Sequence, residues 1–284
     1  MLFEIVPNIS EGRRAEVVDA AVAAVERTGA TVLHRTSDAV HHRSVLTIVG
    51  DAEQVVAAGV ALAGVAAERI DLREHSGVHP RIGALDVLPF VPLGDASLGE
   101  AAQLAHRAGA LIWERYRVPS FYYGAAARSP QRASLLDVRR GEFEGLEARF
   151  ADPAWRPDEG DVARHASAGA VAIGARDVLI AYNVLLASGD LAAARGIARN
   201  LRERGGGLRT LRALAFPIAD ERVMISLNVT DYRATPLYRI VELVRRLAGE
   251  RGIAVAGGEL IGLVPRAAVE AAAAYYLGIT ESPN

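Results

Sequence analysis

The chain has 284 residues, 51% of them hydrophobic, and a formal net charge of −2. This length suits two modest domains with substantial cores, and the near-neutral charge argues against a surface that binds nucleic acid. The absence of cysteine excludes disulfide bonds, thiolate metal sites and cysteine nucleophiles. The first residues carry no secretion signal and the longest apolar run is too short to span a bilayer, so we expect a soluble, cytoplasmic protein without a membrane partner.

The first third of the chain predicts the element order β-α-β-β-α-β. Hydrophobic periodicity and β-branched runs indicate these elements as "LFEIV", "RRAEVVDAAVAAVERTG", "ATVLHRTS", "SVLTIVG", "DAEQVVAAGVALAGVAAERI" and "DVLPFVPL". Ser10 or Asn8 is expected to cap the first helix, and Asp51 the second. The prolines of the last strand indicate that it lies at a sheet edge or comes to an end there.

The last third repeats this order, from "DVLIAYNVLLAS" to "VAGGELIGLV", and adds a closing helix. Between the two copies lie a helix, a strand and residues 151–176, which lack periodicity and are typical of a functional or disordered segment. We therefore predict an α+β protein of two ferredoxin-like (βαββαβ) subdomains, residues 1–176 and 177–284, with a ligand cleft between them.

The stretch "HSGVHPRIGALDVLPF" places two histidines and an arginine in a loop before a strand. Pro80 forces His79 towards an extended backbone and so fixes the direction of its ring. An imidazole that titrates near neutrality is the usual proton-transfer group, and the planar fork of Arg81 suits a carboxylate. The alternative is an ordinary loop in which Arg81 pairs with Glu74 or Asp86. Spacing alone leaves both interpretations open.

A metal site is the less favoured interpretation of the same loop. His75 and His79 have the i,i+4 spacing that holds zinc on a helix, but Gly77 and Pro80 disfavour a helix and no HExxH motif is present. We therefore expect no metal. His75 could orient His79 or simply face water.

Further polar side chains interrupt or follow apolar strands. Asn8 and Glu11 follow the first strand, where they could face a ligand, and Arg43 begins another strand, where a solvated turn is the alternative. Asn183 and Asn228 interrupt apolar strands of the last third. Because a buried amide needs partners, each is either a satisfied core residue or a ligand contact.

Seven motifs in order, from Phe3 to about Leu277, resemble the glutamate formimidoyltransferase family. They are "VPNISEG", "HHRSVLTIVG", "GVHPRIGALDVLPFVPL", "YYGAAAR", "RRGEFEGL", "IGARDVLIAYNV" and "GGELIGLVP". The resemblance implies two ferredoxin-like subdomains with a folate-binding cleft, and a homodimer. It also implies transfer of the formimino group of N-formimidoyl-L-glutamate to tetrahydrofolate, a co-substrate, late in histidine degradation and without a metal.

The resemblance assigns roles to single residues. The family's catalytic histidine maps onto His79, which would take a proton from the attacking nitrogen and give it to the leaving one. Asn8, Glu11, Gly124, Asn183 and Asn228 are expected to contact substrate, and Arg81 and Arg43 are expected to bind carboxylates of glutamate or folate. The expected folate-binding segment consists of Gly160, Asp161, Val162, Ala163, Arg164, His165, Ala166, Ser167, Ala168 and Gly169.

The chain also departs from the family pattern at polar positions. The departures are His34, Val40, Ala125, Leu185 and Met224. Because several polar side chains are replaced by apolar ones, two alternatives stand beside the transferase. One is a folate-binding homologue with little turnover, and the other is a transferase of the same fold that uses another amidine or acyl donor.

Overall fold

The structure is a computed structural model that describes residues 1–77, 79–218 and 222–279. Two positions used in the predictions, Val78 of the histidine loop and Glu221 at the start of a predicted strand, lie outside the described residues. Within the described part, no helix combines the length and the apolar character needed to cross a membrane.

The chain divides into two compact units, Met1–Arg176 and Asp177–Asn284. Each unit has its own β-sheet and its own apolar core. The predicted α+β class is confirmed, while the predicted cleft between the subdomains stays a prediction.

The first unit follows the predicted order and then continues. Its strands are β1 (Leu2–Ile5), β2 (Asn8–Ile9), β3 (Thr31–Asp38), β4 (Arg43–Gly50), β5 (Leu85–Leu93), β6 (Ser120–Gly124) and β7 (Val171–Ala175). Its α-helices are α1 (Ala15–Glu26), α2 (Ala52–Arg69), α3 (Leu98–Tyr116), α4 (Leu135–Val138) and α5 (Leu146–Phe150). Asp51 accepts from the backbone N–H of Gln54, which confirms the predicted cap of α2.

The seven strands form one sheet in the order β3-β4-β1/β2-β5-β7-β6, in which β1 and β2 are two pieces that both lie between β4 and β5. β5, β7 and β6 run parallel to one another, and the other pairs are antiparallel. Residues of α1, α2 and α3 pack against the sheet, and Val25, Leu62 and Ile112 are buried in the same core as Phe90 and Ile173. This packing fixes the end of α2 and the start of β5, which are the two points that the loop between them connects.

One prediction about this unit is wrong in part and another is wrong. β5 is not an edge strand, because β1 and β7 flank it, but it does end at Leu93, directly after Pro92. Pro89 has no N–H to donate, but its carbonyl oxygen accepts from Val6 N at 3.3 Å. The supposedly irregular residues 151–176 end in β7, a buried strand between β5 and β6. Its "VAIGA" run is apolar throughout and lacks the alternation that identifies a half-exposed strand.

The second unit repeats the order β-α-β-β-α-β, as predicted. Its elements are β8 (Ile180–Leu186), α6 (Leu191–Leu201), β9 (Leu211–Ile218), β10 (Arg222–Val229), α7 (Leu237–Gly249), β11 (Val255–Ile261) and the closing helix α8 (Arg266–Leu277). The sheet is antiparallel, in the order β11-β8-β10-β9. Ile197 of α6, Leu227 of β10 and Val244 of α7 are fully buried in its core. Because side chains alternate along a strand, the residues on either side of Leu227 face away from the helices.

Candidate functional site

The loop between α2 and β5 carries His79, and a later segment of the chain holds both of its ends. Leu72 N donates to Ser167 O at 2.9 Å, and Ala84 N donates to Ala168 O at 2.9 Å. The loop itself has no regular secondary structure where it is described. Long-range backbone hydrogen bonds therefore set its path.

The ring of His79 is held in one tautomer. Its Nδ1 lies 2.7 Å from the carbonyl oxygen of Pro80. Because a carbonyl oxygen can only accept, Nδ1 carries the hydrogen in this arrangement and Nε2 keeps its lone pair. Nη1 of Arg43 lies against the ring edge, 2.8 Å from Nδ1 and in contact with Nε2. His79 is thus a neutral, oriented imidazole, and it is partly exposed.

The surroundings of His79 oppose its protonation. Burial, followed by the positive charges of Arg43 and Arg139, lowers the pKa of His79 to about 3. The carboxylate of Asp86 and the carbonyl of Pro80 act in the opposite direction, but more weakly. At neutral pH the ring is therefore in its basic form.

Arg43, Arg139 and Asp86 surround His79, and we call these three residues the cationic cluster. Arg139 follows α4 and forms an ion pair with Asp86 of β5, and both side chains are largely buried. The other oxygen of Asp86 accepts from Ile82 N at 2.8 Å. The sequence analysis did not identify Arg139 as a site residue, although Arg139 lies in the motif "RRGEFEGL" that supports the resemblance. It also did not predict that Arg139 pairs with Asp86.

Arg81, two residues after His79, is enclosed by acceptors. Its Nη1 donates to Glu142 and to Glu144 at 3.1 Å each, and its Nη2 donates to Glu144 at 2.8 Å. Its Nε donates to His75 Nδ1 at 3.1 Å. The ordinary-loop alternative, a pair with Glu74 or Asp86, is wrong because the partners come from the segment before α5. Carboxylate binding by Arg81 stays a prediction.

His75 orients Arg81 rather than facing water. Its Nε2 donates to the carbonyl oxygen of His42 at 3.0 Å, which leaves Nδ1 as the acceptor for Arg81. The rings of His75 and His42 stack with centroids 4.2 Å apart. Burial is the main cause that lowers the pKa of His75, so it stays neutral. Among the described residues, no three His, Asp or Glu side chains converge as metal ligands.

Neither Ser10 nor Asn8 caps the first helix, whose N-cap residue Arg14 makes no side-chain cap bond; the turn before the helix is held by Glu11. Its fully buried carboxylate accepts from the backbone N–H groups of Arg13 and Arg14 at 2.8 and 2.9 Å. Burial opposes ionisation, but these bonds outweigh it and lower the pKa of Glu11 to about 2. Ser10 instead donates to the carbonyl oxygen of Gly83, and Asn8 to that of Val6, at 2.8 Å each. Ligand contacts by Asn8 and Glu11 stay predictions.

Gly124 ends β6 in a left-handed conformation, with φ of +63°. A Cβ atom here would lie 2.5 Å from the carbonyl oxygen of Ala175, so the close approach of the two strands requires glycine. Tyr123 beside it is buried, and burial raises the pKa of its hydroxyl. Arg139 and Asp86 are close enough to act on the same hydroxyl, which places this strand end next to the cationic cluster.

The predicted folate segment, residues 160–169, also adjoins the histidine loop. Ser167 and Ala168 make the backbone bonds to the two ends of that loop, and Gly169 forms an isolated bridge with Gly83. Arg164 stacks on the ring of Phe143 with its guanidinium carbon 4.0 Å from the centroid. Half of the segment is thus packed beside the site, whereas Asp161 to Ala163 are exposed.

Asn183 and Asn228 belong to the second unit. Both lie on the sheet face that points away from the apolar core, because Val184, Leu227 and Val229 beside them are buried. Asn183 is nevertheless buried and donates to Glu259 at 3.4 Å, whereas Asn228 is exposed. The alternative of a buried, partnered amide is therefore wrong for Asn228 but fits Asn183, and ligand contact stays a prediction for both.

Comparison with known proteins identifies both units. The family description "Formiminotransferase domain, N-terminal subdomain" matches residues 2–176, and "Formiminotransferase domain" matches residues 181–282. A glutamate formimidoyltransferase of Thermoplasma acidophilum is 41% identical over 97% of this chain and 92% of its own, and one of Streptococcus pyogenes serotype M1 is 37% identical over 99% and 94%. The formimidoyltransferase-cyclodeaminase of Gallus gallus is 40% identical over 97% of this chain and 52% of its own. The chain therefore belongs to the formiminotransferase family.

Proposed function

We propose that this protein is a glutamate formimidoyltransferase that transfers the formimino group of N-formimidoyl-L-glutamate to tetrahydrofolate, with His79 as general acid and base. The observation that carries the proposal is the neutral ring of His79, oriented by Pro80 and set beside two arginines. Near-full-length similarity to proteins named glutamate formimidoyltransferase supports the same activity.

The reaction needs one group that first accepts and then donates a proton. N5 of tetrahydrofolate attacks the formimino carbon, and Nε2 of His79 takes the N5 proton as the tetrahedral intermediate forms. The bond from this carbon to the glutamate nitrogen then breaks, and His79 gives its proton to that nitrogen. The products are 5-formimidoyltetrahydrofolate and glutamate, and the ring returns to its neutral form. Proton transfer of this kind contributes roughly 10²–10⁴-fold to a rate.

The remaining predicted residues are assigned to the two substrates. We place tetrahydrofolate along residues 160–169, whose bonds to the histidine loop bring that segment next to His79. Arg43 is assigned to a substrate carboxylate, and Arg81, which already pairs with Glu142 and Glu144, is assigned to holding the loop. Gly124, Asn8 and Glu11 are assigned to the shape of the site. Asn183 and Asn228 are assigned to contacts from the second unit. The same proposal includes a cytoplasmic location and a homodimer. Light scattering on the purified protein tests the homodimer.

A matched pair of histidine variants tests the function. His79→Gln removes the titrating ring, and we expect it to lower kcat/KM for formimidoylglutamate and tetrahydrofolate by roughly 10²–10⁴-fold. His106→Gln is the control, because His106 lies in α3 and its Nε2 bonds to the carbonyl of Ala126 at 2.8 Å. Equal turnover by the His79 variant and the control would refute the role of His79.

A second candidate, a transferase of the same fold with another donor, is favoured by one observation. Leu185 and Met224, two of the departures from the family pattern, are directly paired across β8 and β10. They lie on the same sheet face as Asn183 and Asn228, so this face has a paired apolar patch where the family pattern is polar. Turnover with other N-formimidoyl or N-formyl amino acids, and none with formimidoylglutamate, would select this candidate. Folate binding without any turnover would select a binding protein instead.

A further inference from the structure

Arg43 is partly buried, and no oxygen of the described residues accepts from its guanidinium. Within the described part of the chain, the guanidinium contacts only the ring of His79, and its buried Nε has no hydrogen-bond partner. Burial, followed by repulsion from Arg139, lowers the pKa of Arg43 to about 10, which leaves it charged. A guanidinium has five N–H donors, and a buried donor without a partner is costly. The position therefore suits an anion.

The protein supplies one carboxylate for two guanidinium groups. Asp86 pairs with Arg139 through one oxygen, and its other oxygen accepts from Ile82 N. Arg139 Nε is also buried and has no partner among the described residues. The other ionisable neighbours do not supply the missing negative charge, because His79 is neutral and burial raises the pKa of Tyr123. The cluster thus has an excess positive charge.

We propose that Arg43 and Arg139 form a carboxylate-binding subsite beside the His79 ring, and that this subsite takes the α-carboxylate of the formimino donor. This inference rests on the proposed function, in which Nε2 of His79 protonates the glutamate nitrogen. The α-carboxylate is attached to the carbon that bears this nitrogen, whereas the γ-carboxylate is three carbons further away. Arg43 contacts Nε2 directly, so its partner anion is the nearer carboxylate.

Carboxylate binding would also prepare His79 for its task. A carboxylate that pairs with Arg43 draws the guanidinium away from the ring of His79, whose Nε2 then becomes more accessible to a substrate proton. It also cancels the charge that, after burial, holds the pKa of His79 near 3. The donor would therefore raise the proton affinity of the ring when it binds.

Two unreactive analogues isolate the α-carboxylate in a binding experiment on the full-length protein. N-acetyl-L-glutamate keeps both carboxylates, and 4-acetamidobutanoate lacks the α-carboxylate. We expect calorimetry to show that the wild type prefers the first by about 10- to 100-fold, as for a charge-assisted hydrogen bond. We also expect NMR titration to show a higher His79 pKa with N-acetyl-L-glutamate than without it.

Arg139→Gln with Asp86→Asn is the decisive variant, because it removes the ion pair without leaving a buried charge unpaired. We expect it to remain folded by circular dichroism and to bind the two analogues within about threefold of each other. Arg140→Gln is the control: the side chain of Arg140 is 79% exposed and pairs with Asp137, and it should keep the wild-type preference.

The outcomes separate the subsite from the proposed function. An unchanged preference for N-acetyl-L-glutamate in the Arg139→Gln/Asp86→Asn variant would overturn the subsite. Formimino transfer by a wild type that lacks this preference would also overturn the subsite and leave the proposed function intact. A preference that depends on Arg139, in a protein without transferase activity, would support the subsite and refute the function.

Discussion

Arg81 and Arg43 both border the histidine loop, and their surroundings differ sharply. Arg81 donates to Glu142, Glu144 and His75, so acceptors of the protein itself enclose its guanidinium. Arg43 contacts only His79, and no oxygen of the described residues accepts from its guanidinium. The sequence predicts the same role for both arginines.

The two arginines are therefore expected to have different roles: Arg81 holds the loop in place, and Arg43 binds an anion. A guanidinium with satisfied donors stabilises the loop and gains little from a ligand, because an incoming carboxylate must displace Glu142 and Glu144. A buried guanidinium without acceptors makes the opposite contribution: it costs stability and favours an anionic ligand. The motif position of an arginine therefore says less about its role than the acceptors around it.

The largest expected effect comes from Arg43. We expect Arg43→Met to raise KM for the formimino donor by about 10²-fold, because the substrate carboxylate loses a buried, charged partner. Thermal unfolding should show no loss of stability, because the substitution removes an unpaired buried charge. A clear fall in the melting temperature with an unchanged KM would show that Arg43 stabilises the fold and does not bind the donor, which is the role expected of Arg81.

Arg81→Met should act in the opposite way. We expect the free energy of unfolding to fall by about 1–3 kcal/mol, because the bonds that join the loop to Glu142 and Glu144 are lost. Urea titration measures this change. Arg73→Met in the same loop is the matched control, since Arg73 is 63% exposed and pairs with Asp71 on the surface; its effect on the free energy of unfolding should be much smaller. A loss as small as that of the control would show that Arg81 is not a brace.

The pH dependence of stability tests the environment of His79. Its folded pKa, about 3, lies below the ordinary value of 6.5, so the unfolded chain binds more protons between these limits. The stability that this residue contributes is therefore present above pH 6.5 and is lost as pH falls towards 3. Glu11, with a pKa lowered from 4.5 to about 2, contributes stability that is lost only below pH 4.5.

In the interval from pH 6.5 to 4.5 the slope comes from the histidines and from Glu4, whose pKa burial raises above 4.5. We expect His79→Gln to reduce the slope of unfolding free energy against pH there by up to about 1.4 kcal/mol per pH unit, the effect of one proton. His75 and His165, whose pKa values burial also lowers, should keep part of the slope in the variant. Identical slopes in urea titrations of the variant and the wild type would mean that His79 is not neutralised by folding.

The smallest effect is expected at Glu144, the more exposed of the two carboxylate partners of Arg81. The side chain of Glu144 is 63% exposed, so Glu144→Gln should cost less than about 1 kcal/mol of unfolding free energy. The cost should shrink in high salt, because exposed ion pairs are screened. A salt-independent loss would show instead that this pair behaves as a buried one.

Local patterns predict much of the fold and part of the site. The element order of both units follows from periodicity and turn residues, and the cap of α2 follows from Asp51. The errors have one cause in common. Ser10 does not cap α1 because the backbone after β2 carries it to Gly83 instead, and β5 is interior because a later strand, β7, pairs with it.

The sequence by itself determined two α+β units, a proline that restricts His79, and motifs sufficient to identify the family. Those features depend on spacing within short segments, where propensity and sterics act. Only the tertiary structure decided which charges surround the ring, because Arg43, Asp86 and Arg139 come from β4, β5 and the end of α4. Electrostatic interactions depend on distance in space, and these residues become neighbours only when the sheet has assembled.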